Sequence, residues 1–136
     1  MIREPWTLEL SKQAIGRAGE FQAAAVFEQH GIVTTHVDVY GVDLWCQTPS
    51  GRRVTVQVKS TLGLGRTESD RAPRYFFQLR PNSASRTADV YCFVTLDTGL
   101  LRLFSTVEVS ATTKKALSAS QLTQEAMEAD LKRYLY

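Results

Sequence analysis

The sequence predicts a single α/β domain with a helix near the N-terminus, a central β-hairpin and a helix at the C-terminus. Three observations lead there. Apolar residues recur at three- and four-residue steps between about residues 8 and 30, which is helical periodicity. Short β-branched and aromatic runs, punctuated by Gly, Pro and Asn, then follow one another from residue 32 to residue 104. The 136 residues, 43% hydrophobic and 22% charged, match one globular unit with a real core. With no repeat, linker or low-complexity segment in view, residues 1–136 read as one domain.

The first helix spans residues 8–30. Leu10, Ala14, Ala18, Phe21, Ala25 and Phe27 provide its apolar positions. Ser11 is placed to cap its start and Gly31 to stop it after His30. Gly16 and Gly19 each weaken it by about 1 kcal/mol against alanine, but they clear space beside Glu20 for another backbone or a ligand. Strands are expected at 32–40, 43–48 and 53–60. Pro49-Ser50-Gly51 turns the second into the third. A Gly- and Arg-rich loop covers 61–73. Tyr75-Phe76-Phe77-Gln78-Leu79 reads as a strand, 81–87 as a polar connection, and Val90–Leu96 as a buried strand. Asp97-Thr98-Gly99 is a turn before a strand at 100–104. A final helix is expected from about Ser118 to Tyr136, with Ser118 and Gln121 forming a capping box. Lys114 and Lys115 read as a solvated pair ahead of it. Trp45 and the aromatics at 75–77 are expected in the core.

Composition excludes several classes. No apolar run approaches the roughly 18 residues of a membrane-spanning helix, and the first six residues lack the apolar stretch of a secretory signal. Cys46 and Cys92 are the only cysteines. Each lies in an apolar strand, which favours buried free thiols and a cytoplasmic setting. Net charge is only +2, yet residues 52–86 carry eight basic groups against Glu68 and Asp70. Those are Arg52, Arg53, Lys59, Arg66, Arg71, Arg74, Arg80 and Arg86. An arginine-dominated local excess suits a polyanion such as nucleic acid.

The chemistry concentrates in the hairpin. Strand alternation puts Asp43 on the face away from Leu44 and Cys46, and puts Gln57 and Lys59 on the face away from Val54, Val56 and Val58. An even register gathers the three polar side chains on one face, where an acid, an amide and an amine are costly unless used. Hard oxygen ligands suit a divalent cation: the Asp43 carboxylate, the Gln57 amide oxygen, the Val58 carbonyl and, from the helix, Glu20. Lys59, two residues from Gln57 on the same face, is placed to orient a water or to stabilise developing charge. Asp38 and Asp97 read as turn or surface residues. His30 sits at a helix C-terminus and His36 within a strand, and this chemistry requires neither imidazole.

These residues resemble the PD-(D/E)XK (restriction-endonuclease-like) phosphodiesterase superfamily over roughly Ile15 to Phe104. The resemblance is carried by Gly-Arg-Ala-Gly-Glu at 16–20, Gly-Val-Asp-Leu-Trp at 41–45 and Gln-Val-Lys-Ser-Thr at 57–61. It is greatest to the small intron-encoded homing endonucleases of that superfamily, with archaeal Holliday-junction resolvases next. It implies a mixed β-sheet carrying the site on its central hairpin, and a Mg2+-dependent endodeoxyribonuclease for which Mn2+ can substitute. Glu20, Asp43, Gln57 and Lys59 are its catalytic set, with Asp43, Gln57, Val58 and Glu20 around the metal. Duplex DNA is the implied partner, contacted by Arg52, Arg53, Arg66, Arg71, Arg74 and Arg80, and a homodimer or homotetramer is expected. This sequence departs from the pattern in three places. Gln57 stands where most members carry an acid, Val42 stands where a proline often precedes the aspartate, and the helix between the third and fourth strands is short or missing. A degenerate nucleic-acid-binding module and a branched-DNA resolvase are the alternative readings. In a third, the polar hairpin is simply a protein interface.

Overall fold

A computed structural model of the chain describes residues 11–39, 41–65, 73–79, 88–109 and 114–136. The expected polar connection at 81–87, the first six residues, Leu10 and the side chain of Asp38 lie outside the described residues. So do Arg66, Arg71, Arg80 and Arg86.

The chain runs α1 (Lys12–Gln29), β1 (Val33–Val39), β2 (Val42–Gln47), β3 (Arg53–Thr61), β4 (Arg74–Gln78), β5 (Val90–Thr95), β6 (Leu100–Ser105), α2 (Thr106–Val109), β7 (Lys114–Ser118) and α3 (Gln124–Tyr134). Five strands form one sheet in the order β1-β2-β3-β5-β6, and β4 pairs with β7 in a separate ribbon. All pairings are antiparallel except β3 with β5, so the sheet is mixed as expected. No helix among the described residues is long and apolar enough to cross a membrane.

Ser11 caps α1 as its position suggests, its hydroxyl accepting from the Ala14 amide at 3.1 Å. The helix ends at His30, ahead of Gly31 with its left-handed φ of 78°. The buried face is rotated from the expected one: Gly19, Ala23, Val26 and Phe27 are buried, whereas Ala14 and Ala25 are exposed and Phe21 is 57% exposed. The cause is Gly19. An added Cβ there would lie 2.4 Å from the Ser60 Cβ, so helix and strand backbones close on this glycine, and it sets which stripe faces inward. Ser60 also donates its hydroxyl to the Ile15 carbonyl at 2.8 Å, which pins the two elements together. Gly16 makes no comparable contact.

The even positions of β2 and β3 face α1 and α3. Leu44, Cys46, Val54, Val56 and Val58 join Ala23, Val26, Phe27, Met127, Leu131 and Leu135 in the larger core. Both cysteines are buried free thiols. Burial pushes the Cys46 thiol up to about 11, and the fully enclosed Cys92 is also raised by burial. On the other face, Tyr75, Phe77 and Leu117 of the ribbon pack on Tyr91 and Phe93 in a second core, with the Phe77 and Phe93 ring centroids 5.0 Å apart.

Two expectations near the C-terminus are corrected. Lys114 and Lys115 begin β7 rather than forming a solvated pair before a helix. The Ser118–Gln121 capping box exists, but it closes a 3-10 turn at Ala119–Gln121, and α3 begins afterwards with Thr123 as its cap. Asp130 fixes α3 to β6: its carboxylate accepts from the Leu103 amide at 2.8 Å and from Arg102 Nε at 2.6 Å.

Candidate functional site

The hairpin register is even. Leu44 lies opposite Val56, Trp45 opposite Thr55 and Cys46 opposite Val54. One step further the register brings Asp43 level with Gln57, and the odd positions Asp43, Gln57 and Lys59 emerge on the face opposite the helices. The turn that sets this register closes through Thr48, whose amide donates to the Arg52 carbonyl and whose carbonyl accepts from Gly51, each at 2.8 Å. Gly51 takes the left-handed φ of 91° that the turn needs.

The β2–β3 ladder ends at Leu44 and Val56, and the strands part just beyond. Asp43 fills the gap, its Oδ2 accepting from the Val58 amide at 2.8 Å. The carboxylate therefore sits against the peptide that joins Gln57 to Val58. The Thr55 and Thr61 carbonyls accept from Asp89 and Leu96 on the β5 side, so the odd residues of β3 direct their backbone groups toward β5 and the even ones toward β2. In an extended strand the N–H and C=O of one residue project the same way. The Val58 carbonyl thus faces the side that holds the Asp43 carboxylate.

Gln57 carries the most pointed feature. Its Oε1 is buried, and it is the buried side-chain polar atom left without a hydrogen-bond partner among the described residues. An amide oxygen stranded this way costs about 1–3 kcal/mol. The apolar surroundings come from β5, where Tyr91 lies beside Gln57 and Phe93 beside Lys59 in the parallel register, both rings buried.

Glu20 lies in the other layer. α1 covers the helix face of the sheet, and Glu20 directly follows Gly19, the residue that closes on Ser60 next to Lys59. Among the described residues no three His, Cys, Asp or Glu side chains gather as a metal cage. A cation here would need amide and backbone oxygens, and the stranded Gln57 Oε1, the Asp43 carboxylate and the Val58 carbonyl are hard donors that fit Mg2+.

The arginines scatter. Arg52 holds the end of α3, its Nε and Nη2 donating to the Tyr136 carbonyl at 3.1 and 2.9 Å. Arg53 is exposed at the start of β3, about 13 Å along the strand from Gln57 at 3.3 Å per residue. Arg74 is exposed at the start of β4. Asp97 serves structure, accepting from the Tyr75 hydroxyl at 2.9 Å. The His30 ring bonds the Val26 carbonyl at 2.8 Å, and His36 packs on Phe21. Trp45 corrects the expectation of a core residue: it is 52% exposed on the Asp43 face. The strict alternation of β2 carried that signal, since Trp45 shares the parity of Asp43.

No protein-family model matches the chain, and no curated protein matches it by sequence. A solved structure does: the bacterial homing endonuclease I-Ssp6803I superposes with a TM-score of 0.69 over 93% of this chain and 95% of that one, at 18% identity. The two chains share a fold across nearly their whole lengths.

Proposed function

We propose that this chain is a metal-dependent endonuclease that hydrolyses phosphodiester bonds in DNA, built as one PD-(D/E)XK-like domain. The single observation that carries the reading is the buried, unpartnered Gln57 Oε1 beside a carboxylate anchored to the next peptide. A fold under no demand for a ligand there would substitute an apolar side chain at little cost. The shared fold with a homing endonuclease supports the same reading.

Asp43, Gln57 Oε1 and the Val58 carbonyl hold Mg2+ in this proposal, with Glu20 supporting from the helix layer. Bound there, the cation supplies Lewis-acid chemistry, neutralising charge at a phosphate and acidifying a water. Asp43 holds its carboxylate in place through the Val58 amide, so no reorganisation is needed when DNA arrives. Lys59, one pleat beyond Gln57, donates to a phosphate oxygen or orients the water as charge develops. Tyr91 and Phe93 exclude bulk water from one side of this row and so strengthen the ammonium's field. Glutamine in place of an acid leaves the site one negative charge short, and the phosphate itself makes up part of that deficit. Arg53, together with Arg66, Arg71 and Arg80, supplies the proposed phosphate contacts, which position the duplex without reading it.

The test is cleavage of supercoiled plasmid, linear duplex and branched DNA with Mg2+ or Mn2+, repeated with Asp43→Asn and Lys59→Ala. Asp43→Asn keeps an oxygen for the Val58 amide, so the fold should survive. Cleavage lost in both variants, with binding retained, supports the enzyme. Salt-dependent binding without cleavage by the native chain shows a binding module instead, and no binding to any nucleic acid rejects both.

A further inference from the structure

We propose that the outer face of the β4–β7 ribbon reads base edges in the major groove of duplex DNA, an inference that rests on the DNA-cleaving reading above. The ribbon has two unlike faces. Tyr75, Phe77 and Leu117 point inward and are buried in the aromatic core. The register places Arg74 opposite Ser118, Phe76 opposite Ala116 and Gln78 opposite Lys114 on the other face. Arg74, Gln78 and Lys114 are exposed.

Side-chain chemistry selects the occupant. Arginine or lysine is the usual partner of guanine and glutamine of adenine on their major-groove edges. The outer face carries Arg74 and Lys114, and ribbon residues 74–78 and 114–118 include no acid, so the face complements a polyanion. Major-groove width admits a two-stranded ribbon. From Arg74 to Gln78 the strand advances about 13 Å at 3.3 Å per residue, which is about four base-pair steps of the duplex. The ribbon thus matches a short stretch of sequence rather than a single contact.

The face is also braced, as a reading surface must be. Gly65 donates its amide to the Arg74 carbonyl at 2.8 Å, and a Cβ on Gly65 would lie 2.7 Å from the Phe76 ring. The Lys114 ammonium stands 4.1 Å from the centroid of the same ring. From below, the ribbon is seated on Tyr91 and Phe93, the residues paired with Gln57 and Lys59 on β3. Base reader and candidate cleavage site therefore share one aromatic support on one side of the main sheet.

The experiment selects bound duplexes from a randomised library with the full chain in Ca2+, then repeats the selection with Arg74→Ala, Gln78→Ala and Lys114→Ala. All three positions are exposed, so folding should be unaffected, as circular dichroism would check. The native chain should enrich a motif. Each variant should relax it at one or two adjacent positions, with discrimination there falling roughly 5- to 150-fold, while binding to unselected duplex and its cleavage in Mg2+ persist. Replacing guanine by 7-deazaguanine in the selected site should weaken native binding and leave Arg74→Ala binding unchanged. Variants that enrich the native motif unaltered overturn the proposal, as does a native chain that cuts DNA yet enriches nothing. A chain that binds no duplex at all brings down the cleavage reading with it.

Discussion

At the residue scale, Gln57 is the point where stability and function separate. Its Oε1 is stranded in a hairpin whose neighbours are otherwise satisfied or apolar. Replacing it by leucine removes the stranded acceptor and should raise the unfolding free energy in chelator by about 1 kcal/mol, read from urea denaturation, while abolishing cleavage. A loss of stability in Gln57→Leu would mean that the amide is structural and that the metal reading of this atom is wrong. Gln57→Glu makes the opposite test. It restores the charge that most sequences of the resembled superfamily carry, so the Mg2+ concentration for half-maximal cleavage should fall. Calorimetric titration of Mg2+ into the DNA-free chain should show the same trend, free of any effect on turnover.

At the scale of elements, the position of α1 depends on one missing side chain. Gly19→Ala places a Cβ 2.4 Å from that of Ser60, with strand backbone behind it, and should destabilise the fold by about 1–3 kcal/mol. Gly16→Ala has open space around it and should stabilise the helix by up to about 1 kcal/mol. Opposite signs at two glycines three residues apart in one helix make thermal melts of both variants a sharp check. The same contrast marks what the sequence could and could not reveal. The hairpin, its even register and the shared face of Asp43, Gln57 and Lys59 were legible, because strand parity is local and strict. The inward face of α1 was not: Phe21 and Ala25 satisfy helical periodicity as well as Ala23 and Val26 do, and the choice is made by a close approach to Ser60, 41 positions away. β7 was hidden for a related reason. Lys114 and Lys115 look solvated until β4 supplies a partner strand and aromatic rings, those of Phe76 and Phe104, for their ammonium groups to cover. Half-exposed Trp45 follows strand parity, which puts it on the Asp43 face despite its large apolar ring.

At the scale of the whole molecule, two thiols and two tyrosines bear on its pH range. Burial raises Cys46 from 9.0 to about 11 and also raises Cys92. Burial, reinforced by Asp97, raises Tyr75, and burial with Glu108 raises Tyr134. Each group is neutral in the fold and ionises more easily in the unfolded chain. Their contribution to stability is therefore complete below the unfolded pKa values and is lost as pH rises toward the folded ones. The Cys46 share should disappear between pH 9.0 and about 11. Denaturation midpoints measured across that window should fall steeply for the native chain and less steeply for Cys46→Val. An unchanged slope would place the alkaline sensitivity elsewhere.

The proposed activity makes a demand on the assembly that the single chain does not meet. One Asp43–Gln57–Lys59 row per chain offers one phosphodiester position, and the two strands of a duplex run in opposite directions. Cutting both in one encounter calls for two copies related by a two-fold axis, so a homodimer or homotetramer belongs to the proposal. Mixing tests this without knowledge of the interface. Native and Asp43→Asn chains, co-refolded at equal amounts so that subunits exchange, should convert supercoiled plasmid mainly to nicked circles, since each mixed pair holds one competent row. Native chains alone should give linear product, and Asp43→Asn chains alone should give neither. If native chains alone instead accumulate nicked circles before any linear product, and the mixed preparation behaves as native chains at half the concentration, each chain cuts independently of any partner, and the two-fold assembly is rejected while the single-site chemistry stands.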